Sequence, residues 1–178
     1  MSSMACAQPQ ISSRNDDMNL IPTAFYAAAC LAMPMAIGAA AAQDSQIVMT
    51  VTSDAGVRDY DLAALQALPK VSFTTSTIWT EGKQEFTGVA LTDLLADAGI
   101  KEGNVMATAI NDYAVEIPLD EIEDKAPIVA YHLNGEPMSV RDKGPLWIVY
   151  PYDESVEYQT ETNFSRSIWQ LDRLMLSN

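Results

Sequence analysis

The apolar positions of this chain fall in short alternating runs rather than in long helical stripes. Ile47 to Thr52 is rich in β-branched residues and reads as a first strand. Asp54-Ala55-Gly56 turns it toward Val57 to Tyr60, a short pairing strand. Asp61 is placed to cap a helix whose Leu62, Leu65 and Leu68 share one face and which Pro69 ends. From Val71 to Trp79 the alternation is clean, with Val71, Phe73, Thr75, Thr77 and Trp79 on one side and Ser72, Thr74 and Ser76 on the other. Glu81-Gly82-Lys83 turns that strand back into Gln84 to Val89. Thr92 then opens a helix with Leu91, Leu94, Leu95 and Ala98 on or beside one stripe, stopped by Gly99.

Val105 to Ile110 reads as a strand, Asn111-Asp112 as a turn and Tyr113 to Ile117 as the returning strand. Pro118 and the acidic run Asp120 to Asp124 predict one helical turn on the surface. Ile128 to Leu133 is a further strand and leads into Asn134 to Pro151, the stretch best suited to carry a site. It opens on Asn134-Gly135, where both positions tolerate positive φ in a tight turn. It continues through the polar run Ser139 to Lys143 and turns at Gly144-Pro145. Leu146 to Tyr150 follows as a buried strand, stopped by Pro151. Tyr152 to Thr162 is acidic and too polar to be core, Ser165 to Leu171 reads as a short helix, and Leu174 to Leu176 as a last strand. About eight strands and three short helices without regular alternation predict an α+β fold with a mixed sheet.

Ahead of the first strand the character changes. Residues 1–17 are polar and patternless, an extension or a mis-assigned start. Residues 18–42 hold an alanine-rich apolar run closing on Ala40-Ala41-Ala42, which satisfies the cleavage pattern of a secretory signal peptide. Asp16 and Asp17 offset Arg14 in the flank that should be basic, and initiation at Met18 removes them. The rival reading is a retained membrane anchor, since the run approaches the roughly 20 residues that span a bilayer. Cleavage would leave a single domain, residues 43–178, in the periplasm or secreted, with no membrane attachment. The formal charge of −14 becomes −13, because one base and two acids are lost. So acidic a surface argues against nucleic acid and anionic membranes as partners. Both cysteines, Cys6 and Cys30, fall in the removed segment, so the domain is expected to have no disulfide and no thiolate.

Little catalytic chemistry survives these counts. His132 is the only histidine, which excludes a histidine metal cluster and a triad, and its apolar neighbours suggest a structural role. Pairs such as Asp120 with Glu121 and Asp153 with Glu154 lack calcium-loop spacing and read as solvated surface. Bases are scarce, so Arg141 and Lys143 before Gly144-Pro145, together with Arg166, are candidates for an anion pocket. Each of them pairing with a neighbouring carboxylate is the alternative. Trp147 reads as core, whereas Tyr152 and Tyr158 are placed to line a groove or a partner contact.

Taken in order, several segments resemble the sulfite-oxidase-type molybdopterin-binding domain. They are Phe86-Thr87-Gly88-Val89-Ala90-Leu91 with Leu94-Leu95, then Asn111-Asp112-Tyr113 with Pro118, then Asn134-Gly135-Glu136-Pro137-Met138. Gly144 to Pro151 and Ser167-Ile168-Trp169-Gln170-Leu171 complete the set, which spans roughly Ile47 to Leu176. The resemblance implies a mixed α+β fold and a cysteine thiolate on molybdenum from the loop after the Val71–Trp79 strand. This sequence offers Thr75, Ser76, Thr77 and Trp79 there, and hydroxyls replace a soft thiolate poorly. The resemblance also implies a basic residue for the pterin phosphate, a position near Arg166. The expected pocket therefore comprises Thr75, Thr77, Trp79, Asn111, Asp112, Tyr113, Arg141, Lys143 and Arg166, with no metal ligand and no catalytic residue assigned. The expectation is a periplasmic module that binds a small anionic ligand or a periplasmic or membrane protein without ligating molybdenum. Two alternatives stand beside it: a molybdopterin-dependent oxidoreductase lacking the cysteine, and an accessory subunit docking a larger protein through the aromatics around Tyr152 to Phe164.

Overall fold

Alternation of buried and exposed positions sorts the chain into two sheets, as seen in the computed structural model, which describes residues 46–123 and 125–177. These lie in the unit Ala41–Asn178. The expected extension and leader, both cysteines and Asp124 fall outside the described residues. In chain order the first elements are β1 (Ile47–Ser53), β2 (Gly56–Asp61), α1 (Leu62–Ala67), β3 (Lys70–Ser76), β4 (Lys83–Ala90) and α2 (Leu91–Asp97). There follow β5 (Asn104–Ala109), β6 (Ala114–Pro118), β7 (Ile128–Leu133), β8 (Glu136–Pro137), β9 (Trp147–Val149), α3 (Glu161–Arg166) and β10 (Leu171–Ser177).

The first sheet runs β2-β1-β10-β5-β6. Its one parallel pair sets Val51 of β1 opposite Leu174 of β10, and its other pairs are antiparallel. The second sheet runs β3-β4-β7-β8 and is antiparallel throughout. β9 also joins β7, with Val129 opposite Ile148, so two short strands share one edge of β7. Ile128 to Tyr131 is buried without alternation, so both faces of β7 are covered there by the apolar core. One apolar cluster draws on both sheets, with Val51, Val105 and Leu174 from the first and Phe86, Val129 and Trp147 from the second. The result is the expected mixed α+β architecture.

Local chemistry sets the element ends. Asp61 caps α1 by accepting from the Ala64 N–H at 2.7 Å, and Leu65 of that helix is fully buried. The second helix begins at Leu91, one residue before the expected Thr92, and Leu91 N–H donates to Pro127 O at 2.9 Å. Asn134 and Gly135 have φ of 52° and 82°, as a two-residue hairpin turn requires. Gly88 meets a different demand. A Cβ there would lie 2.1 Å from Val129 O, because the β4–β7 register shifts beside it and brings the two backbones together.

Four expectations are corrected. The strand after Val71 ends at Ser76, because the Thr77 hydroxyl accepts from the Trp79 N–H at 3.1 Å and folds the chain into a turn. The last helix is Glu161–Arg166 rather than Ser165 to Leu171. Thr160 fixes its start by accepting from the Asn163 N–H at 3.2 Å. Residues 167–170 are instead recruited by the neighbouring strand, with Ile148 N–H donating to Ile168 O at 2.8 Å and Leu171 N–H to Leu146 O at 3.0 Å. Tyr152, expected outside the core, is 3% exposed, and its hydroxyl bonds the Ser167 hydroxyl. β10 is longer than Leu174 to Leu176, because it fills the centre of its sheet.

Candidate functional site

The end of β3 is held by a carboxylate. Asp153 Oδ2 accepts from Ser76 N–H at 3.0 Å, from Ser76 Oγ at 3.1 Å and from Lys83 Nζ at 3.2 Å. These donors, the Ser76 amide foremost, hold the Asp153 carboxyl below the usual aspartate range. Thr75 is fully buried, and its hydroxyl accepts from the Asp153 N–H at 3.0 Å and donates to Ser76 O at 3.3 Å. The Thr77 hydroxyl bonds that of Thr80 at 2.8 Å. Both threonine hydroxyls at this strand end are therefore engaged, Thr75 with Asp153 and Ser76 and Thr77 with the turn.

Trp79 leaves that turn and enters an aromatic cluster. Its ring meets Trp169 at 5.6 Å, Phe164 at 5.9 Å, Trp147 at 6.0 Å and Tyr152 at 6.5 Å between centroids, each edge to face. Trp147 anchors the cluster: fully buried in β9, it donates its indole N–H to Ser167 O at 3.2 Å. A cleft of about 350 Å³ opens against these rings, walled by Trp79, Phe164 and Trp169. Asn111 and Tyr113 close another side, with Ala109, Ser165, Ser167 and Ile168 between. Asn111 Oδ1 accepts from the Tyr113 N–H at 3.2 Å, which fixes its carboxamide.

A second cleft, also about 350 Å³, is lined by Glu121, Glu123, Tyr150, Tyr158 and Arg166 among others. Arg166 is 11% exposed along its side chain and pairs with Glu121 at 2.7 Å. Burial pushes the Tyr150 hydroxyl up to about 12, opposed by the Arg166 guanidinium beside it. Tyr158 donates to Glu123, and burial first and that carboxylate second raise its pKa. Helix α3 separates the two clefts. Phe164 and Ser165 face the aromatic one, and Asn163 and Arg166 the acidic one.

Of the residues expected to share a pocket, Trp79, Asn111 and Tyr113 line the aromatic cleft. Thr75, in β3, and Thr77, in the turn after it, do not line it. Asp112 turns outward to pair with Arg173 at 2.6 Å. Lys143, at φ 72°, holds its Nζ over the Trp147 ring at 5.7 Å, and Arg141 is exposed in the preceding 3₁₀ turn. Arg166 lines the other cleft, which neither Arg141 nor Lys143 lines. Phe164, Ser165, Ser167, Ile168 and Trp169 were not expected in the site. A residue pattern giving Trp169 and Gln170 a turn rather than a helix would have shown them.

Residues 49–157 match the oxidoreductase molybdopterin binding domain family, and the chain belongs to it. Arg166 and Trp169 lie beyond the matched span. The chain is 32% identical over 78 residues to the uncharacterized oxidoreductase YuiH of Bacillus subtilis (strain 168), covering 43% of this chain and 39% of that one. The sulfane dehydrogenase SoxCD from Paracoccus pantotrophus shares the fold at TM-score 0.55 and 18% identity, over 74% of this chain and 38% of that chain. The chain thus spans about two fifths of either protein's length.

The family implies molybdopterin, and the donors at the β3 end test whether the metal fits. Thr75 and Thr77 are hydroxyls already committed to hydrogen bonds. Among the described residues no group of three or more His, Cys, Asp or Glu side chains is disposed to hold a metal ion. Hard, occupied oxygens do not suit a metal that takes a soft thiolate. Among the described residues the β3 end offers molybdenum no thiolate.

Proposed function

We propose that this chain is an exported binding module of the molybdopterin-binding family that does not ligate molybdenum, and that its ligand sits in the aromatic cleft. The hydrogen bonds of both threonine hydroxyls, Thr75 with Asp153 and Thr77 with Thr80, carry this reading, because with no thiolate beside them they leave the β3 end without a ligand suited to the metal. Without the metal, the family's redox chemistry has no centre to run on, and what remains is a rigid concave surface of π faces. Export rests on the alanine-rich run ending at Ala42. Among the described residues no helix is long and apolar enough to cross a membrane. The test is elemental and pterin analysis of protein purified from a host that makes the cofactor. Trace molybdenum is expected, and stoichiometric molybdenum with pterin would sink the reading.

A second reading, docking of a periplasmic or membrane protein on the same face, is favoured by the exposed apolar residues around the cleft. Ile78 is 67%, Tyr113 52% and Ile110 48% exposed, each next to or within the lining. The segment Tyr152 to Phe164 is less suited, since Tyr152 is buried and Tyr158 is tied to Glu123. Co-purification of a partner from the native envelope, lost on Ile78→Glu, is the expected result. Retention by that variant would count against it.

A further inference from the structure

The aromatic cleft is lined by no charged side chain. That is unusual for a pocket in so acidic a chain, and it limits what the cleft can hold. A phosphate-bearing molecule would need a cation, and the expected anchor, Arg166, lines the other cleft and is paired with Glu121. A cationic ligand would suit the rings, but no carboxylate lines the cleft and a positive charge already stands behind it. Lys143 Nζ lies 5.7 Å from the centre of the Trp147 ring, which itself is 6.0 Å from Trp79 and 6.4 Å from Trp169.

The remaining capacity is for stacking and for hydrogen-bond donation. Asn111 Oδ1 is taken by the Tyr113 amide, so the carboxamide presents its amino group. The Ser165 and Ser167 hydroxyls donate to Thr162 O at 2.8 Å and Asn163 O at 2.7 Å. Among the described residues no acceptor is found for the indole N–H of Trp79 or Trp169. The volume of about 350 Å³ lies at the small end of ligand sites, room for one or two fused rings.

We infer that the cleft binds an uncharged, planar bicyclic molecule bearing carbonyl acceptors, the chemistry of a naphthoquinone, with its ring against Trp79 and Trp169 and a carbonyl on Asn111. The inference rests on the binding-module reading above and names its ligand class. Only binding is assigned.

Calorimetric titration of the full chain tests it with three probes: menadione, a naphthoquinone sulfonate with the same rings and an added negative charge, and choline. Menadione should bind one saturable site. Asn111→Leu should weaken it by about tenfold through loss of one donor, and Trp169→Ala by at least as much through loss of a stacking face. Trp169 is 37% exposed and Asn111 is exposed, so neither change removes core, and circular dichroism confirms folding. The sulfonate should bind at least about tenfold more weakly, since no cation lines the cleft to offset the cost of desolvating its charge. Equal or tighter binding of the sulfonate or of choline overturns the ligand class, as does menadione binding that both variants leave unchanged or no menadione binding at all. Each of these outcomes with molybdenum-free protein leaves the binding-module reading standing, whereas co-purified molybdenum and pterin removes it first.

Discussion

Substituting alanine for Gly144 probes how the loop before β9 is held, and its cost can be worked from contacts. The backbone there is not left-handed, so alanine escapes the left-handed penalty. The obstacle is space: a Cβ at Gly144 would stand 2.0 Å from Met138 O, 2.5 Å from its carbonyl carbon and 2.7 Å from its Cβ. Favourable carbon contacts begin at about 3.5 Å, so two backbone segments must part by roughly 1 Å or more. Parting them strains the 2.7 Å hydrogen bond from Gly144 N–H to Ser139 O and lifts Met138, which is 6% exposed. Overpacking costs about 1–3 kcal/mol where side chains give way. With backbone against backbone and about 1 kcal/mol of hydrogen bond at stake, about 3–4 kcal/mol is expected. Gly82→Ala is the control. At φ +64° with nothing within 4 Å, it bears only the left-handed dihedral, about 1–2 kcal/mol. Urea unfolding followed by tryptophan fluorescence reads both. At a slope of about 2 kcal/mol per molar, Gly144→Ala lowers the midpoint by about 1.5–2 M and Gly82→Ala by less than about 1 M. Equal midpoints would show that the loop gives way freely, and the close-approach reasoning would be wrong.

Tyr150 should make stability fall in alkali. Its folded pKa, raised from 10.0 to about 12, exceeds the unfolded value, so its contribution is complete below pH 10 and is lost as pH rises toward 12. Two units correspond to roughly 2–3 kcal/mol. Tyr150→Phe should reduce the downward slope of unfolding free energy between pH 10 and 12 by about one proton, and an unchanged slope would refute the assignment. Arg166→Glu should destabilise more than Arg166→Met, because it sets a third carboxylate beside Glu121 and Glu123. Glu121 is 55% exposed, which discounts the lost pair to about 1 kcal/mol in Arg166→Met. Thermal unfolding at low and high salt checks this, since the gap between the two variants should narrow as salt screens the repulsion.

Much of the fold was legible because strand alternation is a local property. Val71, Phe73 and Thr75 face inward as their spacing says, and Asn134-Gly135 turns as its chemistry demands. Tyr152 was hidden by Asp153 and Glu154: average polarity masks one buried ring whose partner, Ser167, is fifteen residues away. Ile168 and Leu171 have helical spacing, yet their backbones serve the β9 region instead. The site was legible only in part for a similar reason. Trp79 follows β3 of one sheet, whereas Asn111 and Tyr113 sit between β5 and β6 of the other, so only the fold brings them together. Consecutive residues of a helix point about 100° apart. That one step puts Ser165 in the aromatic cleft and Arg166 in the acidic one.

The position of β10 has a consequence for the order in which the protein can be put together. It is the last strand described and also the middle strand of its sheet. Until Leu171–Ser177 arrives, that sheet exists as two separate hairpins, β1 with β2 and β5 with β6, and both β1 and β5 expose an unpaired edge. Open edges invite pairing with other chains. A molecule interrupted just before Leu171 would carry nineteen-twentieths of the information for its fold and still be an aggregation hazard. Seven residues act here as a closing stave, and trimming them undoes a sheet whose other four strands are all still present.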